Sequence, residues 1–201
     1  MTTAPGPDGR PRCPWCLATP QYLAYHDHEW GFPVTDERRL FEKLCLEGFQ
    51  AGLSWRTILE KRENFRRAFA GFDIEVLAHW GAPEVERLLQ DAGIVRHRGK
   101  IESVLNNARR TQELVQSEGS LAAWIWRHEP AAAEQVAHQG VTTSPTSIEL
   151  SKALKKRGFS FVGPTTVHAF LQAMGLINDH AEGCVVRARA EAARSALRRP
   201  G

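Results

Sequence analysis

No run of the 201-residue chain is apolar for long enough to cross a bilayer, and no hydrophobic segment follows Met1, so neither membrane insertion nor secretion is expected. Cysteine is scarce, with four in all, and a reducing cytoplasm suits their use as thiolate ligands better than as disulfides. Sustained period-two alternation is missing, which removes a large β-sheet from consideration. Internal repeats are missing as well, and the one biased tract is the Ala/Arg-rich stretch 188–199. Neither sign of charge dominates. The net charge is +3, so any affinity for a polyanion has to come from local clusters.

What is present is a globular composition, 42% hydrophobic and 24% charged, able to bury a sizeable core in one or two domains. The periodicity is helical. Thr35 or Asp36 can cap a helix whose apolar positions Leu40, Phe41, Leu44, Cys45 and Phe49 recur at helical spacing, and Ser54 can cap another over 55–69. Further helices are predicted over 73–80, 83–91, 98–116, 120–128, 147–157 and 165–174, with a last one after Gly183. The fold class is therefore all-α. Residues 1–11 read as a flexible leader, 12–187 as the folded domain and 188–201 as a flexible tail.

Two half-sites for a metal stand near opposite ends of the chain, Cys13 with His26 and His180 with Cys184. Two thiolates and two imidazoles would close the tetrahedron of a Zn²⁺ ion and leave no position for a catalytic water, so such an ion would be structural. His180 and Cys184 lie four apart, on one face of a helix or its last turn. Spacing alone leaves Cys16 and His28 open as substitute ligands.

Two basic clusters stand out: Arg96-His97-Arg98-Gly99-Lys100, and Lys155-Lys156-Arg157-Gly158 running on to Gly163. The second has glycines bracketing a short apolar loop between two helices, an arrangement that frees backbone N–H groups to hold a phosphate. A contact of that kind positions a DNA backbone without reading its sequence. The same residues would also serve as a helix C-cap with solvated lysines. Glu47 sits among Leu44, Cys45, Leu46 and Phe49, in a stretch that holds both tyrosines and two of the tryptophans. It either faces solvent beside Lys43 or turns inward toward a pocket.

Several longer runs carry a resemblance: Ala24-Tyr25-His26-Asp27-His28-Glu29-Trp30-Gly31, Leu46-Glu47-Gly48-Phe49-Gln50-Ala51-Gly52-Leu53-Ser54-Trp55, Lys61-Arg62-Glu63-Asn64-Phe65, Asp91-Ala92-Gly93-Ile94-Val95-Arg96-His97-Arg98-Gly99-Lys100, Leu150-Ser151-Lys152-Ala153-Leu154-Lys155-Lys156-Arg157-Gly158-Phe159 and Asn178-Asp179-His180. Taken together, they resemble the DNA-3-methyladenine glycosylase I family, collinearly from about Arg12 to Cys184. The resemblance implies a helix-hairpin-helix glycosylase fold of two helical lobes around a base pocket, with one structural Zn²⁺ joining the termini. Its metal ligands map onto Cys13, His26, His180 and Cys184. Its pocket residues map onto Tyr25 and Trp55 as a stacking pair, Trp30 as a further aromatic and Glu47 as the recognising, catalytic carboxylate. Leu53 after Gly52 corresponds to the residue that fills the hole in the duplex, and Lys156 with Gly158 to Gly163 corresponds to the backbone grip. The essential aspartate of the wider superfamily aligns with Asn178, and Asp179 next to it is expected to point elsewhere.

The implied reaction is hydrolysis of the N-glycosidic bond of 3-methyladenine in alkylated double-stranded DNA, releasing the free base and leaving an abasic site. Methylation at N3 makes the base cationic and a good leaving group, so little acid catalysis is required. Electron-rich rings and an ionised carboxylate would favour that cation over neutral adenine. A monomer suffices, with no membrane partner, in the cytoplasm and on the nucleoid when bound to DNA. The resemblance assigns no role to Cys16, and Phe49 stands where the family pattern has a polar residue. Two other readings compete: a non-enzymatic module that binds damaged DNA, and a zinc hydrolase with an open metal position.

Overall fold

A computed structural model describes residues 2–131 and 140–201, and eleven α-helices lie within them. Helix α1 (Pro20–His28) starts at Thr19, whose side chain accepts from the Tyr22 N–H, with proline in the first turn. The periodicity does not reveal this helix because polar and apolar residues mix on both of its faces; the cap and the proline are its only signals. Helix α2 (Glu37–Gln50) starts at Asp36, which accepts from the Arg39 N–H, and is buried continuously from Leu40 to Phe49. A helix buried on all sides has to pair its polar side chains. Accordingly, Glu42 accepts two hydrogen bonds from Arg66, and Lys43 meets Glu47 at 2.7 Å.

The helix predicted over 55–69 is two, α3 (Trp55–Glu60), capped by Ser54, and α4 (Arg62–Ala68), broken at Lys61. Helices α5 (Ile74–Ala78), α6 (Ala82–Leu89), α7 (Arg98–Glu118) and α8 (Leu121–Trp126) follow. Phe41, Phe49, Phe65, Phe69 and Phe72 are fully buried and stack between α2, α4 and the turn after α4. Phe49 thus belongs to this core, 4.6 Å from Phe65 between ring centroids.

Helices α9 (Pro145–Lys156) and α10 (Pro164–Ala173) form the hairpin pair. Their connection is pinned to α7: Asn107 accepts from the Ser160 N–H and donates to its carbonyl, and Asn106 donates to the Gly158 carbonyl. Ser151 donates to the Val162 carbonyl at 2.6 Å. Gly158 lies at φ +82°, a conformation that favours glycine.

The stretch read as a flexible leader carries two short antiparallel strands, β1 (Ala4–Pro5) and β2 (Pro11–Arg12). Arg12 fastens them, bonding Asp8 and, through two nitrogens, Asp27. The stretch read as a flexible tail carries α11 (Arg187–Ala196), whose composition favours helix. Its Arg194 is buried against Glu129 and the Leu176 carbonyl. The Val185 N–H donates to the Pro11 carbonyl, so the two ends of the chain meet. No helix among the described residues is long and apolar enough to cross a membrane.

Candidate active site

Cys13, His26, His180 and Cys184 converge with all their ligand atoms within 4.8 Å of one another, every residue buried. His180 Nδ1 lies 3.1 Å from His26 Nε2, and the Cys184 sulfur lies 3.5 Å and 3.8 Å from those two nitrogens. Such spacings match the edges of a tetrahedron with bonds of roughly 2.0 Å to nitrogen and 2.3 Å to sulfur. Each imidazole also presents the correct nitrogen. His26 donates from Nδ1 to Asp27 at 2.7 Å, and His180 donates from Nε2 to the Trp30 carbonyl at 3.0 Å, which leaves Nε2 and Nδ1 respectively as lone pairs toward the cluster.

Asp27 is held in turn by Arg12. Burial raises the Asp27 carboxyl, but its hydrogen bonds to Arg12 and His26 outweigh burial and lower it. Cys13 and Cys184 face each other, an approach that raises the Cys13 thiol and lowers the Cys184 thiol. The Ala181 N–H also donates to the Cys13 sulfur, at 3.2 Å. The group can therefore hold a metal ion. Cys16 lies against His26 but outside the group of four, and His28 is not part of it. The pair four residues apart sits in a turn rather than in a helix, with the Cys184 N–H donating to the Ala181 carbonyl. Gly31, at φ +82°, allows this packing, because a Cβ there would come within 2.9 Å of His180 Nε2.

A cavity of about 450 Å³ opens beside the cluster, between α1, α2 and α3 on one side and α10 with the following turn on the other. Tyr25, Trp30, Glu47 and Trp55 all line it. The Tyr25 and Trp55 rings are 5.6 Å apart and inclined at 43°, so they pack on each other as a tilted wall rather than as two parallel plates. Trp30 links wall and metal group: its carbonyl holds His180, and its ring lies 4.7 Å from His180 and stacks on His26.

Glu47 is 4% exposed, so the inward reading of this carboxylate holds and the solvent-facing one does not. Lys43 Nζ sits 2.7 Å from it, donates to the Tyr25 hydroxyl at 2.9 Å and lies 3.1 Å from the centre of a Trp55 ring. Burial raises the Tyr25 hydroxyl well above its usual range.

Asp179 is corrected by the structure. It lines the cavity, accepting from Gln172 at 2.6 Å, whereas Asn178 turns away to donate to the Arg187 carbonyl and Glu191. Trp15, between Cys13 and Cys16 in the sequence, is a cavity residue too, 5.1 Å from Trp30.

Gly52, at φ +78°, presents Leu53, which is 42% exposed. A cleft of about 190 Å³ runs from Leu53 and Gly52 past Glu47 to the first turn of α10. Lys156 and Gly158 are exposed on the hairpin side, and Gly163 caps α10. The first basic cluster serves the fold. Lys100 is buried and donates to the Phe49 and Ala51 carbonyls, closing the end of α2 just before Gly52, while Arg98 pairs with Glu86.

Residues 15–188 match the family described as methyladenine glycosylase. The chain is 49% identical over 177 residues to DNA-3-methyladenine glycosylase 1 of Escherichia coli (strain K12), covering 86% of this chain and 95% of that relative. A crystal structure of 3-methyladenine DNA glycosylase I, also 49% identical, superposes with a TM-score of 0.80 over 87% of this chain and 98% of that one. The Staphylococcus aureus 3-methyladenine DNA glycosylase I, solved to explain 3-methyladenine recognition, gives a TM-score of 0.82 at 38% identity, over 88% of this chain and 96% of that one. Sequence and fold agree over nearly the whole length, and the chain belongs to the methyladenine glycosylase family.

Proposed function

We propose that this protein is a DNA-3-methyladenine glycosylase that hydrolyses the N-glycosidic bond of 3-methyladenine in alkylated duplex DNA, with Glu47 as the residue that recognises the base. The observation that carries the reading is a buried carboxylate in an aromatic cavity, joined by a cleft to an exposed leucine and a helix-hairpin-helix. The base leaves the duplex before it can be reached, and weakened stacking and pairing of a damaged base lowers that cost. Leu53 fills the gap. Lys156, Gly158 and the Gly163 end of α10 hold the phosphates through charge and backbone N–H groups.

Inside the cavity, the cationic base meets the Tyr25 and Trp55 rings and the Glu47 carboxylate, all of which favour a positive charge. Trp30 closes the metal side of the cavity. Because the base already carries its charge, the bond breaks without a strong general acid, and water completes the abasic site. Neutral adenine gains less from this wall and remains a poor leaving group.

The metal is one Zn²⁺ held by Cys13, His26, His180 and Cys184. It supplies a cross-link between the chain ends, and its closed ligand set takes no part in the chemistry. Four cysteines outside any disulfide and an abasic-site product suit a reducing cytoplasm and the chromosome within it.

The test is chromatography of free base released from methylated duplex DNA. Wild type is expected to release 3-methyladenine, and Glu47→Gln to lose about a hundredfold or more in rate. A wild type that binds the DNA and releases nothing would leave a damage-binding module instead.

A further inference from the structure

Lys43 does not line the main cavity, yet its ammonium touches three of the residues that do. It lies behind the wall, beside a void of about 30 Å³ that borders Tyr25 and Trp55 from the opposite side. Its side chain is 7% exposed, nearly as deep as the Glu47 carboxylate it faces. One Nζ atom bonds Glu47, donates to the Tyr25 hydroxyl, and rests on a Trp55 ring.

Two arginines near it are paired off. Arg62 from α4 makes two hydrogen bonds to Glu29 at the end of α1, and Arg66 from α4 makes two to Glu42 of α2. Arg39 of α2 borders the same void. From α3 the neighbour is the Trp55 ring, and from α1 it is Tyr25. The Lys43–Glu47 pair therefore joins the charge behind the wall to the cavity lining, where Asp179 is a second carboxylate. A buried carboxylate and a buried ammonium that each lose a partner are costly, so such a pair fixes geometry strongly.

Resting on the glycosylase reading of the pocket, we propose that Lys43 is its positioning residue: one ammonium behind the wall holds the Glu47 carboxylate, the Tyr25 hydroxyl and the Trp55 ring in the arrangement that receives a cationic base. The i,i+4 spacing on α2 brings lysine and glutamate together, and the i,i+4 step alone would be worth little on an exposed helix. Burial makes it directional here.

Charge on Lys43 is the property the proposal turns on. Burial, the largest influence, pulls its ammonium down to about 8, against the opposing pull of Glu47. Because the folded value is depressed, the folding penalty of this lysine is present below about pH 8 and disappears as pH rises toward the unfolded value. Stability from this group therefore rises through the interval in which the wall loses its cation. A fall of activity there cannot be put down to unfolding caused by Lys43.

The experiment is the pH profile of kcat/KM for 3-methyladenine release from methylated duplex DNA, for wild type, Lys43→Met and Lys43→Arg. Wild type is expected to lose activity through an alkaline limb centred near the lysine's value. Lys43→Met should lose roughly tenfold or more at neutral pH and show no such limb, the loss expected for charge-assisted hydrogen bonds. Lys43→Arg keeps the charge at all accessible pH values, so its limb should move beyond the measured range.

A second measurement needs no variant and no turnover. The indole N–H signal of Trp55, whose nitrogen is buried without a hydrogen-bond partner, should titrate in the wild-type protein with the same midpoint. A Lys43→Met enzyme with the wild-type rate and limb would overturn the proposal, as would a Trp55 signal that stays still across that range. If wild type releases no base while the Trp55 signal titrates, the glycosylase reading has failed and the hold of Lys43 on the wall stands.

Discussion

The metal group and the base pocket are both buried polar sites that share Trp30, yet they are built from different stretches of chain. The metal group joins residues up to 171 positions apart in sequence, Cys13 to Cys184, and each ligand contributes one atom to a point. Three of the four main pocket residues instead stand on consecutive helices, and the Glu47 carboxylate among them is paired on its own helix with Lys43 behind the wall. In the first, four ligand atoms converge where a metal ion would satisfy them and tie the ends together. The second balances itself with an internal cation and leaves a carboxylate facing a cavity. One site is closed chemistry, and the other is chemistry held open for a ligand.

Removing a metal ligand should break the comparison most severely. Cys184→Ala is expected to lose the cooperative unfolding transition or to lower it by many degrees, since structural zinc sites carry binding energies on the order of 10 kcal/mol that appear as folding energy. Calorimetry with and without a chelator checks this, and tryptophan emission should change with it because Trp15 and Trp30 pack on the histidines. Glu47→Gln should do the reverse: release falls about a hundredfold while the metal stays bound and the protein stays folded. Metal content and base release measured on one preparation separate the two.

Lys100→Met sharpens the boundary between fold and site. Its ammonium closes the end of α2 immediately before the Gly52 turn, so a loss of about 1–3 kcal/mol in a urea titration is expected, with slower release as Leu53 is displaced. Leu53→Ala is milder. That side chain is exposed, so stability should change by less than about 0.5 kcal/mol, while release from duplex falls more than release from single strands. Arg98→Ala should be smallest, because its pairs with Glu86 and Glu102 are exposed: under about 1 kcal/mol by melting, with release unaffected.

Much of this was legible in the sequence, and the exceptions have a common cause. Asp36 and Ser54 announce their helices because caps act within a few residues. The metal half-sites were visible because cysteine and histidine are rare, and the four converge as the resemblance implies. Phe49 could not be placed from its neighbours, since its partners Phe65 and Phe69 come from α4 and the turn after it.

Trp15 and Asp179 were missed as cavity residues, and Lys43 as the cation behind the wall, for the same reason. Lys43 in particular looks like one half of a solvated i,i+4 pair until the burial of α2 on every side is seen. The tail was read as flexible from its Ala/Arg-rich composition; what seats it is Arg194 reaching Glu129, 65 residues away.

The most direct test of the division between the two sites is the single-turnover rate of 3-methyladenine release by wild-type protein loaded with zinc and, separately, with cadmium. A closed structural ion predicts rates equal to within about twofold, because no metal orbital meets the substrate. A rate that changes by orders of magnitude with the metal, in protein folded equally well by calorimetry, would place the ion in the reaction and contradict the account.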